Sequence, residues 1–208
     1  MKKAGAVLLL LSLPALSAAA GGLPGVPQPG YVAGYFSAGL GSALPFGGHW
    51  GDADSGFKPS PALNLSLAKR IDELLSYGID SVHAWRHENR AAGGLDLKIT
   101  SLTPFVKVSV AEGDRLYYGL MGLGLYRWSY PSFIAAGTVY SSDAAWNAGF
   151  NFGAGILLPF PGNSRAGLEL RWHQILNMRS AAFRLGAVNS INLLLVVRGD
   201  LPGHAGKP

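Results

Sequence analysis

Beyond residue 20 the chain holds no stretch of about 18 consecutive apolar residues, the length a helix needs to cross a bilayer. Yet 49% of its residues are hydrophobic and only 14% are charged. The best candidate for a span, Leu116 to Tyr126 (LYYGLMGLGLY), is bounded by Arg115 and Arg127. Wound as a helix it covers about 16 Å, half a bilayer. Extended as a strand it covers about 36 Å, enough to cross the hydrocarbon even at a steep tilt. The length arithmetic therefore favours strands.

Period-two patterning agrees. From Trp146 to Leu158 the even positions are apolar and mostly bulky, whereas the odd ones read Asn147, Gly149, Asn151, Gly153, Gly155, Leu157. From Arg165 to Gln174 one face carries Arg165, Gly167, Glu169, Arg171 and His173, and the other Ala166, Leu168, Leu170 and Trp172. Such alternation places the two sets on opposite faces of a strand. Weaker versions run from Tyr35 to Leu44 and from Leu63 to Leu67, where Asn64 and Ser66 interrupt leucines. In Leu95–Val110 the parity of Leu95, Leu97 and Ile99 differs from that of Val106, Val108 and Val110, which predicts a bulge near Thr103-Pro104. In Leu75–Arg86 the parity slips near Ser81. The helix-forming segment Ala68–Ser76 (AKRIDELLS) reads as a tight turn between strand ends. Eight strands result, at 33–44, 58–69, 74–86, 95–110, 115–128, 145–158, 165–176 and 189–198.

The connections between them alternate. Long ones fall near 45–57, 87–94, 129–144 and 177–188, and short ones with turn chemistry near 70–73, 111–114 and 159–164. This is the layout of an all-β, eight-stranded antiparallel up-and-down transmembrane barrel, with short periplasmic turns and longer external loops. A soluble barrel that carries lipid in an apolar interior is the opposite assignment of faces. Small residues on the polar face and bulky ones on the apolar face favour lipid outside. So do aromatic residues near strand ends, among them Trp85, Tyr126, Trp128, Trp146 and Trp172.

The N-terminus adds an address. Lys2 and Lys3, the apolar run Ala4–Leu16 and the small residues through Ala20 have the three-part layout of a secretory signal peptide. The expected organisation is a signal peptide over 1–20, a linker over 21–32, a barrel over 33–198 and a polar tail over 199–208. Loss of both lysines lowers the formal charge from +5 to +3, too little and too scattered for nucleic-acid binding. The absence of cysteine excludes disulfides and thiolate-ligated metals.

Three stretches, SLTPFVKVSV (101–110), YYGLMGLGLYRWS (117–129) and WNAGFNFGAGILLPF with LELRWHQIL (146–160, 168–176), resemble the small eight-stranded outer-membrane barrels of Gram-negative bacteria, the OmpA-like and OmpX-like proteins. The resemblance implies a location in the outer membrane, outer-membrane lipids as surroundings, insertion by the barrel-assembly machinery, and a monomer. It also implies a terminal aromatic residue on the last strand, where this chain has the aliphatic run Ile191–Val197.

Catalytic chemistry finds little support. A lipid A-modifying barrel enzyme needs serine, histidine and a carboxylate in contact. Glu169 and His173 lie about 13 Å apart along one strand face, and the residue two beyond His173 is Ile175. His83 and His87 form a metal pair only on a helix. Neither cofactor nor metal is expected. The charged residues expected to face the lumen are Asp80, Asp96, Lys98, Lys107, Arg115, Arg127, Arg165, Glu169, Arg171 and His173. Of these, Arg115, Arg127, Arg165, Glu169, Arg171 and His173 are the leading candidates for a polar network. Eight strands leave only side-chain-filled space inside, so opposite charges should pair there and fill the lumen. The expected role is structural, or the presentation of four external loops.

Overall fold

A computed structural model describes residues 32–202, and the signal-peptide and linker segments before Val32 lie outside that range. Ten strands follow in order: β1 (Val32–Phe46), β2 (Ser60–Arg70), β3 (Leu75–Glu88), β4 (Asp96–Glu112), β5 (Arg115–Tyr130), β6 (Phe133–Ala135), β7 (Thr138–Tyr140), β8 (Asp143–Phe160), β9 (Ser164–Arg179) and β10 (Arg184–Pro202). β6 and β7 form a separate hairpin inside one connection, and the other eight close into an antiparallel barrel in which β1 pairs with both β2 and β10. β10 runs through Gly199 to Pro202, so the start of the expected polar tail is strand.

The turns form as their residues dictate. In the 71–74 turn, Asp72 Oδ1 accepts the amides of Leu74 and Leu75 at 2.8 and 2.7 Å. That side-chain cap bends the chain where the residue types alone would permit a helix. Between β4 and β5, Gly113 supplies the left-handed φ of 56° for a two-residue turn. These turns and both described chain ends share one end of the barrel, the periplasmic end by the rule of short turns.

Three sequence expectations are corrected. β4 keeps one register against β5 from Lys98 to Glu112, so there is no bulge at Thr103-Pro104. Its odd residues, from Leu97 and Ile99 to Thr103, Lys107 and Ser109, all point inward, and Val106, Val108 and Val110 point out. The two parities differ because the lumen is itself apolar at the external end. The irregularity of β3 lies between Ala84 and His87 rather than near Ser81. The connection expected over 177–188 is a four-residue turn, Ser180–Phe183, because β9 and β10 extend past it on both sides.

Following paired residues from Arg127 through Thr100, His83, Leu63, Leu40, Leu195, Leu168 and Ile156 leads back to β5 at Tyr117, ten residues from the start. Spread over eight strands, that offset tilts them by about 40° from the barrel axis. The outward face is a continuous apolar wall that includes Leu65, Leu67, Val106, Leu123, Leu170 and Leu195. This is the reverse of a soluble lipid carrier, whose apolar face would be inside. Replacing Leu123, 69% exposed near mid-wall, with Arg is expected to destabilise the protein in lipid vesicles by about 2–4 kcal/mol. Urea unfolding in vesicles of the two proteins checks this, and a soluble barrel would be indifferent to the change.

Candidate functional site

The inward side chains form two zones. The lower, polar one is organised by Arg171 on β9, which is 2% exposed. Its Nη1 contacts Asp80 Oδ2 and its Nη2 lies 2.5 Å from Glu169 Oε1. A guanidinium removed from water is tolerated only when paired in this way. Asp80 also accepts from the Thr103 hydroxyl and, at 2.9 Å, from Asn64 Nδ2, while Asn151 Nδ2 donates to Thr103 at 3.1 Å. Glu169 accepts from the Tyr118 hydroxyl at 2.8 Å. The network thus draws on β2, β3, β4, β5, β8 and β9.

Nearer the periplasm lie two more buried cations. Lys107 sits over the Tyr118 ring at 4.3 Å and the Tyr35 ring at 5.0 Å. Arg198 stacks 4.0 Å from the Tyr35 ring and binds Asp200 at 2.6 Å. Aromatic faces replace part of the hydration these cations lose.

Above Arg171, the His173 ring bridges Tyr126 and Asn192: Nδ1 to the hydroxyl at 3.0 Å, Nε2 to the amide at 3.2 Å. Both tyrosines need glycine opposite them. A Cβ on Gly155 would fall 2.4 Å from the Tyr118 ring, and one on Gly149 2.7 Å from that of Tyr126. The small residues of β8 therefore make room for the hydroxyls that hold Glu169 and His173.

The external zone is apolar. Trp128, Leu97, Ile175, Met178 and Val188 fill it from the strands, and the connections cover it. In the 47–59 connection, Trp50 is buried against Phe57 at 4.6 Å and His87 at 5.0 Å. Phe133 of the β6–β7 hairpin and Phe183 of the last turn pack on Tyr130. Between the zones is a cavity of about 20 Å³ lined by His87, His173, Tyr126, Ser101, Ser190 and Asn192 among others, room for a single water.

Of the six leading candidates, the structure brings together Glu169, Arg171 and His173. Arg165 shares their face but lies half-buried at the periplasmic mouth, where it donates to the Asp114 carbonyl at 3.0 Å. Arg115 and Arg127 do not join them: both are exposed and point outward, because the inward parity of β5 is that of Leu116, Tyr118 and Tyr126. On a strand apolar on both faces, the flanking arginines do not reveal their side. Asp96 and Lys98 also lie on the outward parity of β4, while Asp80 and Lys107 are buried inside. The tyrosines and asparagines that satisfy the charges carried only a faint signal, namely polar residues on the sparse face of each strand. The irregularity in β3 sends His83 outward and His87 inward, so the two flank the wall. Among the described residues no three potential ligands converge on a metal site.

The sequence matches no family model and no curated protein. In structure it is similar to Neisserial surface protein A, with a TM-score of 0.59, 19% identity, and coverage of 81% of this chain and 97% of that one. It is also similar to the outer-membrane protein AlkL, solved in DMPC lipid bilayers, with a TM-score of 0.52, 11% identity, and coverage of 88% of this chain and 98% of that one. The fold is that of the small outer-membrane barrels.

Removing the guanidinium strands two buried carboxylates, so Arg171→Met is expected to cost about 3–5 kcal/mol in urea unfolding. Neutralising all three groups together (D80N, E169Q, R171M) should recover much of that loss. In the 47–59 connection, the exposed Asp52 carboxylate accepts from the Ser55 amide at 2.7 Å, the Ser55 hydroxyl at 2.8 Å and the Asp54 amide at 3.0 Å. The Ser55 amide and hydroxyl lower its pKa below the ordinary 3.8. A lowered folded-state value stabilises the turn above the ordinary pKa and is lost as pH falls through the folded one. Amide exchange at Asp54 and Ser55 should therefore stay slow down to pH 3.8 and speed up below it, and Asp52→Ala should remove that step.

Proposed function

We propose that the protein is a monomeric integral outer-membrane barrel whose lumen is closed to solutes, and that it acts as a structural element and through its external surface. The observation that carries this reading is the stacking of two fillings in one narrow bore. The Asp80–Arg171–Glu169 network crosses the middle, and the apolar packing of Trp50, Trp128 and Met178 lies above it. A hydrated solute would have to break buried ion pairs and then pass through apolar packing, each step without compensation.

A catalytic role is not favoured by the same geometry. Both ring nitrogens of His173 are engaged, and the carboxylate of Glu169 is held by Tyr118 and Arg171. No serine hydroxyl bonds to His173 among the described residues. The lipid A-modifying alternative therefore lacks its nucleophile–base contact.

The external surface offers a more definite shape than a loose loop. The β6–β7 hairpin turns at Ala136 and Gly137, both with positive φ, the conformation suited to a two-residue hairpin. Phe133 and Tyr140 stack on its barrel side at 4.9 Å, and the paired Ile134 and Val139 face away, 67% and 70% exposed. A firmly seated hairpin with an apolar outer pair suits contact with another surface. Purified protein in planar bilayers is expected to give no conductance above that of the bare membrane. Regular open steps in the wild-type protein would overturn the closed-lumen reading.

A further inference from the structure

The outer wall is not uniform around the barrel. On β4 and β5 the apolar band ends abruptly at its external edge: above Leu102 come Thr100 and Lys98, and above Leu125 comes Arg127. Thr100 is paired with Arg127 across the strands and His83 with Thr100, where His83 Nδ1 lies 2.8 Å from the Thr100 hydroxyl. With strands tilted by about 40°, Trp85, Lys98, Arg127 and Trp146 reach one height to within about 5 Å. Trp85 and Trp146 are 40% and 58% exposed, so two tryptophans frame two cations on the lipid-facing side. On the opposite side of the barrel the wall stays apolar to the same level, with Leu44 and Phe46 facing out.

Among the described residues, the charges in this cluster have no counterion of their own. The carboxylate closest in sequence, Asp96, is held by Arg86 at 2.9 Å. Glu88 is held by Lys58 at 3.2 Å. β5 contains no acidic residue, Asp80 on β3 points into the lumen, and Asp143 on β8 lies on the inward parity. Lys98 and Arg127 therefore present an excess of two positive charges at the boundary where hydrocarbon gives way to headgroups. Interfacial tryptophans mark that same boundary.

We infer that Lys98 and Arg127, framed by Trp85 and Trp146, form a binding site on the outer wall for the phosphate of an outer-leaflet lipid, its acyl chains lying along the apolar faces of β4 and β5. The partner is an anionic phospho-glycolipid of the lipid A type. Arg127 supplies a planar fork for phosphate oxygens and Lys98 a point charge beside it. The tryptophans and the Thr100 hydroxyl border the sugar and ester level. Partial exclusion of water beside the hydrocarbon strengthens both contacts.

The test uses the full protein in phosphatidylcholine nanodiscs, titrated with bis-phosphorylated lipid A, with the same lipid after phosphatase treatment, and with inorganic phosphate. The wild type should bind the phosphorylated lipid at least tenfold more tightly than the dephosphorylated one, and inorganic phosphate at millimolar concentration should not displace it. The double variant K98Q/R127Q should lose that preference, and the charge-conserving K98R/R127K should keep most of it. A heat-dependent shift on an unboiled gel shows that each variant is folded. Equal binding of both lipids by the wild type would overturn the site. So would an undiminished preference in the folded double variant. Full displacement by millimolar phosphate would show an anion site without lipid specificity and would equally overturn the lipid assignment.

Discussion

The lumen depends on one side chain. Arg171 sits in the middle of a closed sheet, out of reach of solvent, and both carboxylates near it are there because it is. Asp80 reaches it from β3, across the barrel, while Glu169 comes from its own strand two residues away. Neither carboxylate could remain ionised alone in such a place. The contacts spread outward from this pair, from Asp80 to Asn64 and Thr103, from Thr103 to Asn151, and from Glu169 to Tyr118. Six of the eight barrel strands are tied through one guanidinium, which fixes their mutual register more sharply than an all-aliphatic filling would. An aliphatic core accepts many packings of similar volume, whereas a buried ion pair accepts few.

That network also explains the glycines of β8. A bore lined by eight strands has little free volume, and two tyrosines must lie across it for their hydroxyls to reach Glu169 and His173. Gly149 and Gly155 remove the side chains that would occupy the same space. The sparse, small-residue face read from the sequence of β8 is therefore a consequence of the large polar side chains on β5 and β9, not of a hollow interior.

Legibility in the sequence follows from contrast between the two faces of a strand. β8 and β9 alternate cleanly, and both their position and their inward faces were readable from the residues. So were Glu169, Arg171 and His173, which stand on a face opposite Leu168, Leu170 and Trp172. β5 is apolar on both sides, so its span was readable but the side taken by Arg115 and Arg127 was not. β4 misled in a more instructive way. Leu97 and Ile99 are apolar like Val106 and Val108 but lie on the other parity, because they face a part of the lumen that is dry. That zone is dry because Trp50, Phe57 and Phe133, distant in sequence, fold over the mouth. No local pattern carries that information, and a bulge was the only local device that could reconcile the two parities. The partners Asn64, Asn151 and Asn192 were visible only as polar interruptions, since what each one satisfies is set by the closed topology.

The barrel thus changes polarity twice, from an apolar wall to a polar mid-lumen, and then along its axis from that polar layer to an apolar cap. The second change has a consequence for the wall. Where β4 turns apolar residues inward near its external end, period-two geometry turns the intervening ones outward, and Thr100 and Lys98 are among those. On β5 the same rule sends Trp128 and Tyr130 into the cap and Arg127 and Ser129 outside. A cation facing outward at the headgroup level is therefore the counterpart of an aromatic side chain closing the mouth. Capping the lumen with apolar residues and charging the outer rim of the same strands are two faces of one alternation. On β1, where Ala43 is the inward residue at this level, Leu44 and Phe46 keep the outward side apolar. At this level the outward cations Lys98 and Arg127 stand on β4 and β5, the strands that turn Leu97, Trp128 and Tyr130 into the cap.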